Sequence, residues 1–542
     1  MSAPTSGTCA VCQSPATQCC SGCRCVFYCG RDHQRQHWKM HKSQCQMYKI
    51  ATDETLGRYL VATRDIKQGE MIFQETPIVT GPKVVTYPVC LGCLHQMKPE
   101  SEWRACSGCS WPMCSTKCEL SPQHLSECKL MQEKGFRASI DVQKKKESAY
   151  CSIVPLRCLL LKDKSPEKYK TLMSLQSHLE ERRNTTLYTI FRTNVVGFIR
   201  TALGMEHVDE ETILKIAAIL DTNSFEVRYK EMKGRAVYPT AAMMSHNCKP
   251  NTKHIISSPD FTLQVIATVP IKRGEIISVT YTQTLWGTLA RRAHLKMSKC
   301  FDCHCERCSD PTELETYLGA ILCSRCKRKK ADCKIISTDP LDPAAPWKCQ
   351  ACDHTIPGRQ IAWGNDSIRQ EIEALDKTKM EALENFLEKY SNALHPTNSH
   401  VVEVKYALTQ GYGNLVGYTL PGWHQFEDQW SETTWTAEKN KELTDKQLAR
   451  RIDLCHELLE LADILDPGAS RLRGSLLFDL QATMVVKAKK DFQEEKITKS
   501  AAEDILGRAM IFLQEAAEIF RQEPEMVEKL QDMLENLSKE LE

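Results

Sequence analysis

The chain lacks any run near the roughly 18 apolar residues that a membrane-spanning helix needs, so no membrane anchor is expected. It has almost no charge imbalance. Lys+Arg number 71 and Asp+Glu 69, a net charge of +2. That balance argues against a protein devoted to nucleic-acid phosphates, and direct DNA binding is not expected. The stretch Met1 to Gly7 has no apolar core, so no secretory leader is expected either. Hydrophobic residues make up 42% and charged residues 26%, proportions that exclude a disordered chain. The 542 residues suggest about three or four domains. Cysteine, by contrast, is abundant, with 28 residues. A chain without a leader is expected in a reducing compartment, where disulfides are disfavoured and cysteines more often hold metal.

The spacing supports metal. Cys9-x2-Cys12, Cys20-x2-Cys23, Cys29-x3-His33 and His41-x3-Cys45 form four close pairs, enough ligands for two tetrahedral zinc ions. Cys90-x2-Cys93, Cys106-x2-Cys109, Cys114-x3-Cys118 and His124-x3-Cys128 repeat the same order of pairs. Modules this small have little apolar core, so metal would supply much of their folding energy. Cys303-x-Cys305-x2-Cys308 needs a fourth thiolate from elsewhere, and Cys248 is the natural donor. Cys323-x2-Cys326 with Cys349-x2-Cys352 reads as a zinc-ribbon-like hairpin. Six ions would use 21 of the 28 cysteines.

Between the clusters lie two kinds of segment. Tyr59–Ala62, Met71–Phe73 and Phe261–Ile266 are short β-rich runs bounded by the turns Lys67-Gln68-Gly69-Glu70 and Lys272-Arg273-Gly274-Glu275. They predict one small β-fold split by what lies between. Residues 131–220 are mostly helical in pattern, and 366–393, 437–465, 470–490, 500–521 and 525–541 carry apolar positions at three- and four-residue spacing. The last five predict paired antiparallel helices, similar to a tetratricopeptide array. Lys144–Lys146 and Lys327–Lys330 read as solvated basic loops.

Both eight-ligand clusters resemble MYND zinc fingers, the first including Tyr28 before Cys29 and Trp38 before His41. That resemblance implies cross-bracing. Cys9, Cys12, Cys29 and His33 would hold one ion, and Cys20, Cys23, His41 and Cys45 another. Cys90, Cys93, Cys114 and Cys118 would hold a third, and Cys106, Cys109, His124 and Cys128 a fourth. A MYND finger inserted in a β-fold resembles the SMYD family of SET-domain proteins. Gly57–Ala62, Asn223-Ser224-Phe225, Ser245–Asn251, Gly274–Tyr281 and Cys303–Cys308 resemble its SET segments and post-SET loop. An extra N-terminal finger is similar to the arthropod SmydA branch. The implied fold class is α+β. Its order is a finger at 1–47, SET parts at 48–88 and 223–298, and a second finger at 89–130. A helical insert at 131–222, a zinc loop at 299–310, a ribbon at 311–360 and a helical domain at 361–542 complete it.

The resemblance further implies S-adenosylmethionine-dependent methylation of a protein lysine. Tyr281 would line the acceptor channel as the catalytic residue. Gly57, Asn223, Ser245, His246, Tyr281 and Phe301 would meet the cofactor. Zinc would fill the Cys/His sites, and proline-containing peptides or protein substrates would be partners of a monomer in cytoplasm or nucleus. The chain also departs from the family pattern. Tyr59 stands where the cofactor loop has a second glycine, Ser245 and Asn247 replace the first Asn and the Ser of the signature, and Lys299 replaces an aromatic residue. Two readings therefore stay open: a lysine methyltransferase, or a weak or inactive SET/MYND adaptor in transcriptional regulation.

Overall fold

The computed structural model describes residues 7–20, 26–84, 86–97, 102–142, 149–229, 232–326, 333–412 and 443–541. Cys23, Lys144–Lys146, Lys327–Lys330 and residues 437–442 lie outside them.

The fold is α+β. The β part is built from small sheets. Tyr48–Asp53 pairs antiparallel with Gly57–Ala62. The turn between them forms because the Asp53 carboxylate accepts the N–H of Thr55 at 2.8 Å and of Leu56 at 2.6 Å, and Gly57 supplies the positive φ of +66°. A second sheet orders Thr252–Ser257, Thr262–Ala267 and Met71–Glu75. A third orders Ser224–Tyr229, Met232–Val237 and Val79–Pro82. Leu60, Ile66, Val227, Tyr238, Leu263, Val265 and Ile277 bury one core among them.

The expected strand from Gly274 to Tyr281 is regular only at Ser278–Val279. The reason is that this segment threads between two partners. Ala62 donates to Glu275 O and Ile277 to Leu60 O on one side. On the other, Ser245–His246 runs parallel to Ser278–Val279. Its backbone groups are shared, so no long ladder forms.

The insert supplies helices at Ile153–Lys164, Pro166–Met173, Phe191–Ala202 and Glu210–Asn223. Ile153–Lys164, Phe191–Ala202 and Glu210–Asn223 share a core with the second cysteine cluster. The Trp111 ring packs tilted against Tyr150, with centroids 4.8 Å apart, and the Tyr150 hydroxyl exchanges two 2.9 Å hydrogen bonds with the Val89 backbone. Ile321–Leu322, Lys334–Ser337, Trp347–Cys349 and Thr355–Ile356 form a four-stranded ribbon.

The C-terminal half is helical. The periodic run at 366–393 is two helices, Gly358–Ala374 and Met380–Tyr390. The break between them has a local cause, because the Asp376 carboxylate turns back to bond Thr378 N–H and Oγ1. Ser399–Gly411, Asp445–Leu465, Arg471–Gln493, Lys499–Phe520 and Pro524–Leu541 follow. Thr444 and Gln447 form a capping box that starts one of them at Asp445. Gly474 lets two helices touch, since a Cβ there would lie 2.7 Å from Ile519. This domain docks on the β part through Lys253 Nζ to Ile519 O at 2.6 Å, Arg521 to Gly69 O at 3.0 Å and Ala469 N to Thr268 O at 2.8 Å.

Inside the helical domain Arg451 is 1% exposed and Asp479 4%. They pair at 2.5 Å, and Arg451 also donates to Thr409 O at 3.0 Å. Removing one partner leaves the other charge buried and alone. Arg451→Met should therefore cost about 3–5 kcal/mol, read as a lowered urea midpoint for loss of helical signal; an unchanged midpoint would show that the pair contributes nothing.

Candidate functional site

The cysteine clusters gather their donor atoms in space. Those of Cys9, Cys12, Cys29 and His33 lie within 4.8 Å of one another. So do those of Cys90, Cys93, Cys114 and Cys118, of Cys106, Cys109, His124 and Cys128, and of Cys248, Cys303, Cys305 and Cys308. Cys20, His41 and Cys45 form a further group, whose expected fourth member, Cys23, is outside the described residues. Sγ–Sγ separations are 3.6 Å for Cys12–Cys29, 3.5 Å for Cys93–Cys114 and 3.5 Å for Cys248–Cys308. Four thiolates at about 2.3 Å from a tetrahedral ion would be about 3.8 Å apart. The donor sets therefore fit zinc.

In the ribbon, Cys323 lies 3.7 Å from Cys352, and the Cys349 thiol contacts both. His354, which spacing did not single out, brings Nδ1 to 3.4 Å of Cys323.

Two clusters are held by groups outside the ligand pairs. His124 points Nε2 at Cys106 and Cys109, each 3.4 Å away, while its Nδ1 donates to Glu127 at 3.2 Å. That bond fixes the tautomer that leaves Nε2 free for a metal. Arg157 from the insert then clasps Glu127 at 2.6 and 2.7 Å, and it also bonds Thr80 O and Leu91 O at 2.8 Å. One side chain thus joins finger, strand and insert. A carboxylate three residues after a ligand histidine was a legible signal. Around Cys248 the partner is Arg291, fully buried, with Nε 3.2 Å from Cys248 Sγ and a terminal N 3.5 Å from Cys308 Sγ. Glu313 pairs with Arg291 at 2.7 Å and Arg307 at 3.3 Å. A four-thiolate zinc unit carries roughly two net negative charges, and these arginines face it. Nothing in the local sequence marks them.

The zinc loop is wired to the threaded segment. His246 has Nε2 3.2 Å from Cys248 Sγ and accepts the Tyr281 N–H on Nδ1 at 2.9 Å. Burial pushes its pKa down to about 4, so the ring is neutral with one donor and one acceptor nitrogen. Both are used inside the protein. His246 packs against Tyr281 at 5.2 Å and Phe301 at 5.9 Å. The Tyr281 hydroxyl donates to Met244 O. Burial raises its pKa to about 12, which keeps the phenol protonated.

Asn223 ends a helix and donates both amide hydrogens, to Gln176 O and Ile219 O at 2.7 Å each. Beside it, Ser224 Oγ is buried with no hydrogen-bond partner. A buried hydroxyl left unpaired costs about 1–3 kcal/mol, so it suits a position next to a polar ligand group. Lys299 closes this side, its Nζ donating to Thr222 O at 2.7 Å and lying 5.6 Å above the Tyr281 ring. Ser245, His246, Tyr281 and Phe301 are thus together, and Asn223 joins them through Thr222 and Lys299. Gly57 stands at its hairpin turn with nothing within 4 Å of a would-be Cβ. Tyr59, on that hairpin, bonds the Asp53 carboxylate.

Two family models and several known proteins match the chain. The SET domain family model matches residues 57–282, and the MYND finger model matches 9–45. The SET domain-containing protein SmydA-8, isoform A, of Drosophila melanogaster is 28% identical over 369 residues, covering 66% of this chain and 76% of that one. Histone-lysine N-methyltransferase ASHR1 of Arabidopsis thaliana is 24% identical over 318 residues, covering 55% and 62%. Histone-lysine N-methyltransferase SMYD3 of Homo sapiens is 24% identical over 282 residues, covering 48% and 60%.

Arg291→Met should weaken metal retention at the Cys248 cluster roughly 10- to 100-fold, seen as faster zinc release to a chelator. Equal release rates in both proteins would show that the arginine does not hold the site.

Proposed function

We propose, for a chain that belongs to the SMYD family of SET- and MYND-domain proteins and resembles its SmydA branch, that it is an S-adenosylmethionine-dependent protein-lysine N-methyltransferase. The observation that carries this is the placement of Tyr281. Its hydroxyl is fixed on Met244 O and its backbone on His246, which in turn rests on the zinc-loop thiol of Cys248. Relatives named as histone- or protein-lysine methyltransferases support it.

When bound, the cofactor supplies an electrophilic methyl on a sulfonium. The chain's task is then mostly positioning. The main chain of Ser245–His246, the carboxamide oxygen of Asn223, the unpaired Ser224 hydroxyl, the Phe301 ring and the open turn at Gly57 would hold it. Tyr281, kept protonated by burial, would orient the acceptor amine with its hydroxyl oxygen. Tyr281 packs against an apolar core that includes Ile277 and Val279, and such surroundings favour the neutral amine that the reaction needs.

The acceptor is a lysine of a histone or another protein. Zinc occupies the Cys/His sites, six ions in all, and serves structure. Trp38, 40% exposed on the helix Arg31–Cys45, gives the first finger an apolar side chain for a proline-containing peptide. No helix among the described residues is long and apolar enough to cross a membrane. We place the protein in cytoplasm or nucleus, as a monomer, without direct DNA contact. The adaptor reading has its own support in Tyr59, in place of a cofactor-loop glycine, and in Lys299, a bulky group beside Tyr281.

Calorimetry with S-adenosylhomocysteine separates the two readings. Micromolar binding is expected; no binding at about 1 mM, weaker than about 4 kcal/mol, would leave the adaptor. Tyr281→Phe should abolish methyl transfer without lowering zinc content, and unchanged transfer would remove Tyr281 from the mechanism. Metal analysis should find close to six zinc per chain; four or fewer would remove the post-SET and ribbon ions.

A further inference from the structure

Resting on the methyltransferase reading, we propose that Lys299 is itself a methyl acceptor, modified by the chain's own pocket in an intramolecular step. Lys299 is the last residue of the helix Thr288–Lys299, and the chain reverses at Cys300, whose φ is +60°. The side chain runs to Thr222 and Tyr281. There its nitrogen lies 5.6 Å above the ring of Tyr281 and 2.7 Å from Thr222 O, next to Asn223.

The surroundings meet what a methyl acceptor needs. The side chain is half-buried. Its one neighbouring carboxylate, Asp221, is engaged by Arg182 at 2.7 Å, and among the described residues no carboxylate pairs with the Lys299 ammonium. Arg182, Cys300, His294 and Tyr281 are the other titratable neighbours. Burial and the absence of a close counter-ion both favour the neutral amine, and burial leads the downward shift of its pKa. The contact to Thr222 O survives loss of a proton, because a neutral amine still donates one N–H. Its lone pair is then free. The cation–π contact with Tyr281 holds an ammonium by about 0.5–2 kcal/mol, little enough for a four-carbon side chain to rotate away.

The step balances. Lys299 Nζ first loses a proton to solvent. Its lone pair forms a bond to the methyl carbon of S-adenosylmethionine, and the carbon–sulfur bond breaks with its electron pair kept by sulfur. The products are a methylammonium at Lys299 and neutral S-adenosylhomocysteine. The competing role for this residue is capping: Thr222 O is in the last turn of the helix Glu210–Asn223, where lysine commonly sits. A lysine that only caps a helix takes up no methyl group.

The test uses the full zinc-loaded chain and needs no substrate protein. The protein is incubated with S-adenosylmethionine carrying a trideuterated methyl group and digested, and the peptide containing Lys299 is sequenced by mass spectrometry. S-adenosylhomocysteine binding is measured by calorimetry on the same preparation. The expected result is label at Lys299, formed at a rate independent of protein dilution and lost in Tyr281→Phe. Binding of S-adenosylhomocysteine with no label at Lys299 would overturn the proposal and leave the methyltransferase reading standing. Label whose rate falls with dilution would overturn the intramolecular step. Absence of binding would overturn both.

Discussion

Gathering four thiolates at one point concentrates negative charge, and much of this protein is arranged to offset it. Around Cys248 the offset is Arg291, buried and aimed at two sulfurs, itself held by Glu313 with Arg307. None of these three side chains is more than 3% exposed. Such charges are tolerable in a low-dielectric interior only when each is paired and hydrogen-bonded. Arg307 also bonds Cys248 O and Trp286 O, at 3.3 and 3.0 Å. The zinc loop, the threaded segment and the chain that follows Tyr281 are thereby fixed together. Through His246 that fixity reaches the Tyr281 backbone. The position of the Tyr281 backbone is a consequence of the cluster.

The two fingers depend on metal differently although their ligands repeat in the same order. The first has a small apolar nucleus of Cys20, Tyr28 and Cys45, with Ala10 and Val26 at its edge. Little burial is available there, so ion binding must supply most of its stability. The second shares a large core with the insert, including Trp111, Tyr150, Leu156 and Ile213. It also has the Glu127–Arg157 clasp. Metal there orients a module that packing already holds.

The positions where the chain departs from the family pattern are absorbed locally. Tyr59 finds a partner in Asp53. Asn247 Oδ1 accepts the Lys249 N–H at 2.9 Å and tightens its turn. Lys299 bonds a helix terminus. Each has a structural home, so the fold accommodates them.

The sequence by itself determined the metal chemistry and the broad architecture. Short pairs such as Cys90-x2-Cys93 are local, and two ligands within one tight loop announce a metal wherever the loop ends up. Helices such as Pro524–Leu541 were legible because one apolar face, Met526, Leu530, Leu534 and Leu537, repeats every three or four residues. Tertiary structure decided what depends on distant segments meeting. The break at Asp376 hid inside a continuous helical period. Arg291, Glu313 and Arg157 look like ordinary surface charges until folding sets them against sulfur, guanidinium and carboxylate respectively. His354 joined a cluster it follows by only two residues, because a strand pairing turned it inward. Lys299 stands as one letter in a helix, and only the meeting of its terminus with Thr222 and Tyr281 brings it to the pocket. Spacing records ligands that are near in the chain, whereas charge compensation and pocket walls come from residues far apart, which no local pattern encodes.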